Sequence, residues 1–437
     1  MQDNLAETAT EELWRRARGV LASGMWTVSQ GVFRHPGGVF PLFADSGEGC
    51  RIVDSTGRSY VDWVMGWGPV LLGYRHAALE RAIRDQLAAG PLLSLLHPIE
   101  IEVAEQLRDL FPCAERVAFG KNGSDGLAAA VRVARAVTGR EGVLVCGYHG
   151  FHDWYMAVHP QCCGIPEPLR WLVRAFPYND LAAVRALLAA HCDQIAAVVL
   201  EPTSTELPAP GFLEGLRESC TRNGSVLVFD EVVTALRLAR GGAQEAFGVV
   251  PDLACLGKSM ANGMPLSALV GRSELMDAVH HIGYGLTFRG ETLSLAAARA
   301  CLRICATEPV AEHVALVGER VRAAFTAAAA AAGVQARLVG PSCRMTFAFD
   351  RQGPLLPLGL QTLFVQECTV HGVLTNGNLL PSYAHDDRAL ATTEAAFERA
   401  LAVVARACAA RSFDGLLHFA APHTFLRAGA LTCSEEA

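Results

Sequence analysis

The chain has 437 residues, 51% of them hydrophobic and 19% charged, enough to bury a large core and to form two or three domains. Its formal net charge of -7 and lack of a basic patch argue against a sequence-independent nucleic-acid binder. No apolar stretch reaches the roughly 18–20 residues that a membrane span needs.

The start, MQDNLAETATEELWRRARGVL, is acidic and then amphipathic. It lacks the basic head and apolar block of a secretory leader, so a cytoplasmic protein is expected. Residues 1–60 read as a helix followed by short strands. Within them GCRIVDSTGRSYVDWV alternates apolar and polar residues about Ser55-Thr56-Gly57, a hairpin signal. The 14 cysteines contain no Cys-x-x-Cys pair and no zinc-type spacing. They read as small apolar core residues in a reducing compartment, and no metal site is expected.

From 61 to 305 strand and helix patterns alternate. Strand candidates are RVAFG (116–120), GVLVCG (142–147), AAVVLEP (196–202), VLVFDEV (226–232), LACLG (253–257) and LSALVG (266–271). Helical stretches such as 126–137 and 181–191 lie between them. This pattern predicts an α/β domain, a mostly parallel sheet sandwiched by helices. From 306 to 437 the chain turns to Ala-rich helix, including Ala327–Ala332. Strand candidates at 344–350 and 371–377 and a final helix near 387–411 follow. That stretch reads as a smaller α+β domain, to which the first 60 residues also belong.

The chemistry-bearing residues follow the strands. After RVAFG the loop Lys121-Asn122-Gly123-Ser124-Asp125-Gly126 runs into a helix. The amides of Gly123 and Ser124 would be unpaired at the helix start, which suits a phosphate dianion, and the Ser124 hydroxyl adds a donor. An ordinary helix cap would read the same way. After GVLVCG come Tyr148-His149-Gly150, where the Tyr148 ring could stack on a heterocycle. Asp230 ends the strand SVLVFD, at the edge where open α/β sheets present ligands, and Val232 could pack beneath a ring. A carboxylate there suits a pyridinium N–H, or else a helix cap or salt bridge. Lys258 ends the next apolar run, and a lysine amine beside an aldehyde can form a Schiff base. Thr287, in the turn-rich GLTFRGETLS, could reach a phosphate.

These motifs, in this order, resemble the class III aminotransferases of the fold type I pyridoxal-phosphate superfamily. The similarity is nearest to the glutamate-1-semialdehyde aminomutase-like branch. The K-N-G-S-D-G loop stands where the family carries N-S-G-T-E-A. Tyr148-His149-Gly150, Phe229-Asp230-Glu231-Val232 and Leu256-Gly257-Lys258 through Gly263-Met264-Pro265 match its Y-H-G, F-D-E-V and L-G-K-x-x-x-x-G-x-P motifs. The run L-T-F-R-G-E-T (286–292) stands where the family carries G-T-x-x-G-N-P, and the hairpin, Gly66 to Pro69 and Ser382 to His385 also match, so the similarity spans about 40–400.

The resemblance implies pyridoxal 5'-phosphate (PLP) on Lys258, with Asp230 holding the ring nitrogen protonated. It implies cofactor contacts from Gly123, Ser124, Tyr148, His149, Val232 and Thr287. It also implies a homodimer with shared sites, Thr287 reaching the neighbouring subunit's phosphate. The reaction would move an amino group from an amino acid such as glutamate to a carbonyl acceptor. Trp67, Lys121, Arg34 and Glu201 are the candidate substrate contacts.

Departures bear on the acceptor. The semialdehyde enzymes place an arginine where Gly37 stands, and Arg34 is displaced from that position. With Lys121 and the C-G-Y-H-G-x-H-D-W run, this resembles members that aminate oxidised sugars in polysaccharide or aminoglycoside pathways. An aminomutase, an amine epimerase, an ω-amino-acid aminotransferase and a non-catalytic PLP-fold protein are the competing readings. Intact Lys258 and Asp230 argue against the last.

Overall fold

The computed structural model describes residues 2–22, 39–160 and 162–418. They form two compact units. One gathers the described residues of Met1–Trp67, Leu71–His76 and His313–Ala428, and the other those of Gly68–Val70 and Ala77–Glu312.

In the first unit, strands Ala44–Glu48, Arg51–Asp54 and Ser59–Asp62 form an antiparallel meander, and Val373–Leu374 adds in parallel beside Ser59–Asp62. The predicted hairpin forms because Asp54 organises its turn. Asp54 Oδ1 accepts the Thr56 amide (2.9 Å), the Thr56 hydroxyl (2.6 Å) and the Arg58 amide (3.0 Å), and Gly57 takes φ 86°. A second sheet holds Ala336–Val339, Met345–Phe349 and Asn378–Leu379. Phe325, Phe347, Phe364 and Phe397 interlock against it at centroid distances such as 4.7 Å (Phe347–Phe364) and 5.1 Å (Phe325–Phe347).

The expected strand 371–377 is only two residues long. Gly372 turns it at φ 81°, and the Thr375 hydroxyl donates to the Asn378 carbonyl (2.6 Å), folding the rest into a tight turn. Met65, Gly66 and Trp67 run consecutively at positive φ (47°, 61° and 72°), strained for the two non-glycine residues. Buried Asp62 anchors this turn by accepting the amides of Val64 (2.8 Å) and Met65 (3.1 Å) and the Tyr74 hydroxyl (2.7 Å).

The second unit is built on a seven-stranded sheet. Its spatial order is Arg116–Gly120, Ser267–Gly271, Leu253–Leu256, Val226–Asp230, Ile195–Leu200, Gly142–Cys146 and Val173–Ala175. Ser267–Gly271 is antiparallel to both neighbours, and every other adjacent pair is parallel. All six residues of Ile195–Leu200 are buried, as expected for a strand covered on both faces. Helix Gly123–Thr138 buries Leu127, Ala130, Val131 and Ala134, one stripe at i, i+3, i+4 and i+7, and ends at left-handed Gly139. This is the mostly parallel, helix-flanked sheet that the strand pattern predicts.

Direction decides where the chemistry collects. Arg116–Gly120 and the five parallel strands run the same way, so their carboxyl ends share one edge of the sheet. Lys121, Tyr148, Glu201, Asp230 and Lys258 all lie at or just beyond those ends.

Close approach of helix and sheet is permitted by Gly126, where an added Cβ would stand 2.5 Å from Cys255 Sγ. Gly126→Ala is therefore expected to lose about 1–3 kcal/mol of stability by overpacking. Adding Cys255→Ala should recover most of that loss, as read from thermal midpoints of the single and double variants.

Candidate active site

The phosphate candidate is built by the chain entering helix Gly123–Thr138. Asp125 Oδ2 accepts the amides of Lys121 (3.1 Å) and Asn122 (2.8 Å). That leaves Gly123 and Ser124 as the first-turn amides that Asp125 does not occupy, at the positive end of the helix dipole. Their surroundings require glycine. A Cβ on Gly123 would meet Val232 Cγ2 at 2.7 Å, and a Cβ on Gly150, already at φ 95°, would meet Ser124 Oγ at 2.1 Å. The Ser124 hydroxyl also accepts the Phe151 amide at 3.3 Å, tying the loop to the segment after Tyr148-His149-Gly150.

Asp230 is 5% exposed and His149 is fully buried beside it. His149 Nδ1 lies 2.8 Å from Asp230 Oδ2, and His149 Nε2 lies 3.1 Å from the Cys146 carbonyl. A carbonyl oxygen only accepts, so Nε2 carries a hydrogen. The other ring nitrogen then meets a carboxyl oxygen, and a hydrogen bond there needs one more proton between the two groups. Asp230 Oδ1 accepts the Val232 amide at 3.1 Å.

That last bond ends the strand. The sequence placed Val232 on a strand with Asp230, but the strand stops at Asp230 because its carboxylate bends the chain back. Val232 nevertheless points into the site. Its isopropyl group contacts the Cβ position of Gly123 on one side and, at 3.5 Å, that of Gly257 on the other. Gly257 precedes Lys258, so the valine stands between the loop and the lysine's turn. Lys258 opens a short 3-10 helix, Lys258–Ala261, at φ 43°, an uncommon conformation for a lysine.

Tyr148 is 42% exposed and sits edge-on to Tyr155, ring centroids 5.5 Å apart. Its amide donates to Glu201 Oε1 at 3.0 Å, so buried Glu201 fixes the Tyr148 backbone. Gly147, at φ 111°, gives that carboxylate room. Lys121 Nζ bonds Glu291 Oε2 (3.0 Å) and Ser294 Oγ (3.3 Å). Thr287 occupies an exposed turn and is not gathered with the other candidates in this chain. Trp67 belongs to the first unit, at the end of its strained turn, and Arg34 and Gly37 lie outside the described residues.

Two participants escaped the sequence reading. Cys255 is the cross-strand neighbour of Asp230. Burial, reinforced by the charges of Asp230 and Asp125, pushes its thiol well above the usual range, so it stays protonated and donates to the Gly123 carbonyl at 3.4 Å. Glu291 is the partner of Lys121. A signal for it existed, because Lys121 and Glu291 stand where the family motifs carry two asparagines.

The arrangement fits PLP: a cradle that any Cβ would fill, a buried carboxylate at a strand end, and a lysine at the next strand end. Among the described residues, no group of three His, Cys, Asp or Glu could hold a metal ion, and no helix is long and apolar enough to cross a membrane.

The class-III aminotransferase family profile matches residues 32–376. A 3-aminobutyryl-CoA aminotransferase of Cloacimonas acidaminovorans (strain Evry) is 32% identical over 92% of this chain and 99% of its own length. A glutamate-1-semialdehyde 2,1-aminomutase of Sorangium cellulosum (strain So ce56) is 38% identical over 75% of this chain and 79% of its own. Among solved structures, the PLP internal aldimine form of the Sphingopyxis sp. MTA144 FumI protein superposes with a TM-score of 0.87 at 31% identity, covering 92% of this chain and 98% of that one. The chain therefore belongs to the class-III aminotransferases, enzymes of fold type I whose cofactor is pyridoxal 5'-phosphate.

Proposed function

We propose that this enzyme transfers an amino group from an amino-acid donor, glutamate in the simplest case, to a carbonyl acceptor, with Lys258 and Asp230 as its catalytic residues. The observation that carries the reading is the buried His149–Asp230 contact at 2.8 Å, at the sheet edge where Gly123, Val232 and Gly257 converge.

The cofactor, when bound, supplies an aldehyde that captures the lysine amine and a ring that accepts the electron pair of a cleaved C–H bond. The protein does the rest. The amides of Gly123 and Ser124 and the Ser124 hydroxyl would hold the phosphate. Tyr148 and Val232 would pack against the cofactor ring. Asp230 would face the ring nitrogen, and His149, 2.8 Å away, positions its carboxylate. With the cofactor bound, the Lys258 amine would be the base that takes the proton from the donor carbon and returns it. The same groups run in reverse on the acceptor. Glu201 supports Tyr148 through its backbone.

The working assembly is a homodimer in the cytoplasm, with Thr287 of each subunit serving the other's phosphate. Support comes from exposed Leu92, Leu93, Leu95 and Leu96, an apolar run on one loop, and from exposed Phe288 beside Thr287. A cavity of about 780 Å³, lined by Leu96, Ile101, Tyr284 and Arg289 among others, runs beside the edge strand Arg116–Gly120.

For the acceptor, an oxidised amino sugar in secondary-metabolite or polysaccharide biosynthesis is the preferred reading, because Gly37 stands where a carboxylate-binding arginine would be. A β-oxo thioester is the second reading, favoured by the relative named for 3-aminobutyryl-CoA. Neither acceptor offers a free carboxylate beside the reacting carbon.

Three outcomes are expected. Lys258→Ala should lose the borohydride-trapped cofactor label, and a label retained on another lysine would remove Lys258 from the mechanism. Thr287→Ala and Lys258→Ala subunits should regain activity on exchange, since one site of each heterodimer has both residues; no recovery, with exchange verified by mass, counts against sharing. Lastly, kcat/KM should favour an oxidised sugar or a β-oxo thioester over glutamate-1-semialdehyde and ω-oxo acids. A missing charge-assisted contact costs about 1.5–3 kcal/mol, roughly ten- to a hundredfold. A preference for the semialdehyde would overturn the acceptor assignment alone.

A further inference from the structure

We propose that Lys121 and Glu291 form a clasp that holds the phosphate-binding loop in its binding shape, which makes Lys121 a positioning residue rather than a substrate contact. The inference rests on the reading of Gly123 and Ser124 as phosphate donors.

Lys121 is held at both ends. Its amide donates to Asp125 in the first turn of helix Gly123–Thr138. Its ammonium is bound by Glu291 at 3.0 Å and Ser294 at 3.3 Å, with the Lys121 and Glu291 side chains 16% and 17% exposed. Only Asn122 and Gly123 separate this doubly fixed residue from Ser124. The loop is therefore strung between two helix starts.

The anchor at the far end is firm. Glu291 caps helix Thr292–Thr307 by accepting the amides of Leu293 (2.6 Å) and Ser294 (3.2 Å), and its Oε2 also takes the Ser294 hydroxyl (2.6 Å). That helix buries Leu295, Ala298, Cys301 and Leu302. Burial alone would raise the Glu291 carboxyl, but the Ser294 hydroxyl, the Lys121 ammonium and the Leu293 amide together bring it below the usual carboxylate range. Glu291 thus stays anionic at neutral pH and the clasp stays closed. It also fixes the C-terminal end of the turn that carries Thr287.

A loop ordered in advance surrenders less conformational freedom when its ligand arrives, so its donors bind more tightly. The ammonium bound to Glu291 and Ser294 is correspondingly withdrawn from substrate recognition. The two departures from the family motifs, at 121 and at 291, are then a single change, since they meet in one ion pair.

The test separates cofactor binding from substrate binding. Apo-protein is titrated with PLP and, separately, with inorganic phosphate, by protein fluorescence and thermal midpoint. Michaelis constants for donor and acceptor are then measured at saturating PLP. Lys121→Met keeps the aliphatic stem and leaves Glu291 its helix-capping bonds, so the variant is expected to fold. It should raise the dissociation constants of both PLP and phosphate about tenfold while Michaelis constants stay within about twofold. Lys121→Arg should restore most of the affinity. If Lys121→Met does not fold, Glu291→Gln, which keeps a carbonyl oxygen for the cap, must weaken PLP binding in the same direction. Unchanged or tighter PLP binding overturns the clasp, as does a raised acceptor KM at unchanged cofactor affinity. A wild-type protein that binds no PLP would instead sink the functional reading on which the clasp rests.

Discussion

A buried carboxylate must be met by donors, and Asp230 organises its neighbourhood around that requirement. One oxygen takes the amide of Val232, which stops the strand and turns the chain. The other faces the His149 ring, whose far nitrogen is committed to the Cys146 carbonyl. The bond to Val232 swings its side chain between the glycines that precede Ser124 and Lys258. The constraint on one acid thus sets the turn after its strand, the wall of the site and the spacing between loop and lysine. In a medium of low polarity, a carboxyl group so placed is costly unless donors meet it.

The sheet explains why the site could be assembled from residues far apart in the chain. Parallel strands deliver successive loops to the same edge, so Lys121, Tyr148, Glu201, Asp230 and Lys258 arrive together although 137 positions (258 − 121) separate the first from the last. The single reversed strand, Ser267–Gly271, joins the Arg116–Gly120 edge strand to the rest without disturbing that order. Rigid strands fix the loop origins, and the loops themselves are fixed by side-chain bonds to backbone amides: Asp125 on the loop after Gly120, Glu201 on Tyr148, Glu291 on the start of a helix.

Much of this was legible beforehand because the signals were local. Continuous apolar runs marked the central strands, glycines and caps marked their ends, and motif order pointed to the cofactor. What stayed hidden depended on contacts between distant segments. Val232 was read as strand because alternation says nothing about a carboxylate capturing an amide two residues on. The pattern HGVLTNG suggested a full strand, but Gly372 and the Thr375 hydroxyl divide it. Lys121 looked like a cation available to a substrate, since its partner lies 170 positions away. Cys255 looked like one of many core thiols. Nothing in the sequence says that it faces Gly126 and donates to the Gly123 carbonyl.

The glycines around the site carry a consequence for how such an enzyme diversifies. At Gly123, Gly147 and Gly150 a side chain would collide with a neighbour at about 3 Å or less, so these positions leave little room for change. Gly285 is different: an added Cβ would meet nothing within 4 Å, and its backbone is one that any residue can adopt. It lies two positions before Thr287 and lines the cavity beside the edge strand. Substitutions tolerated by the fold should therefore gather at positions such as Gly285, while the glycine wall of the cradle stays fixed.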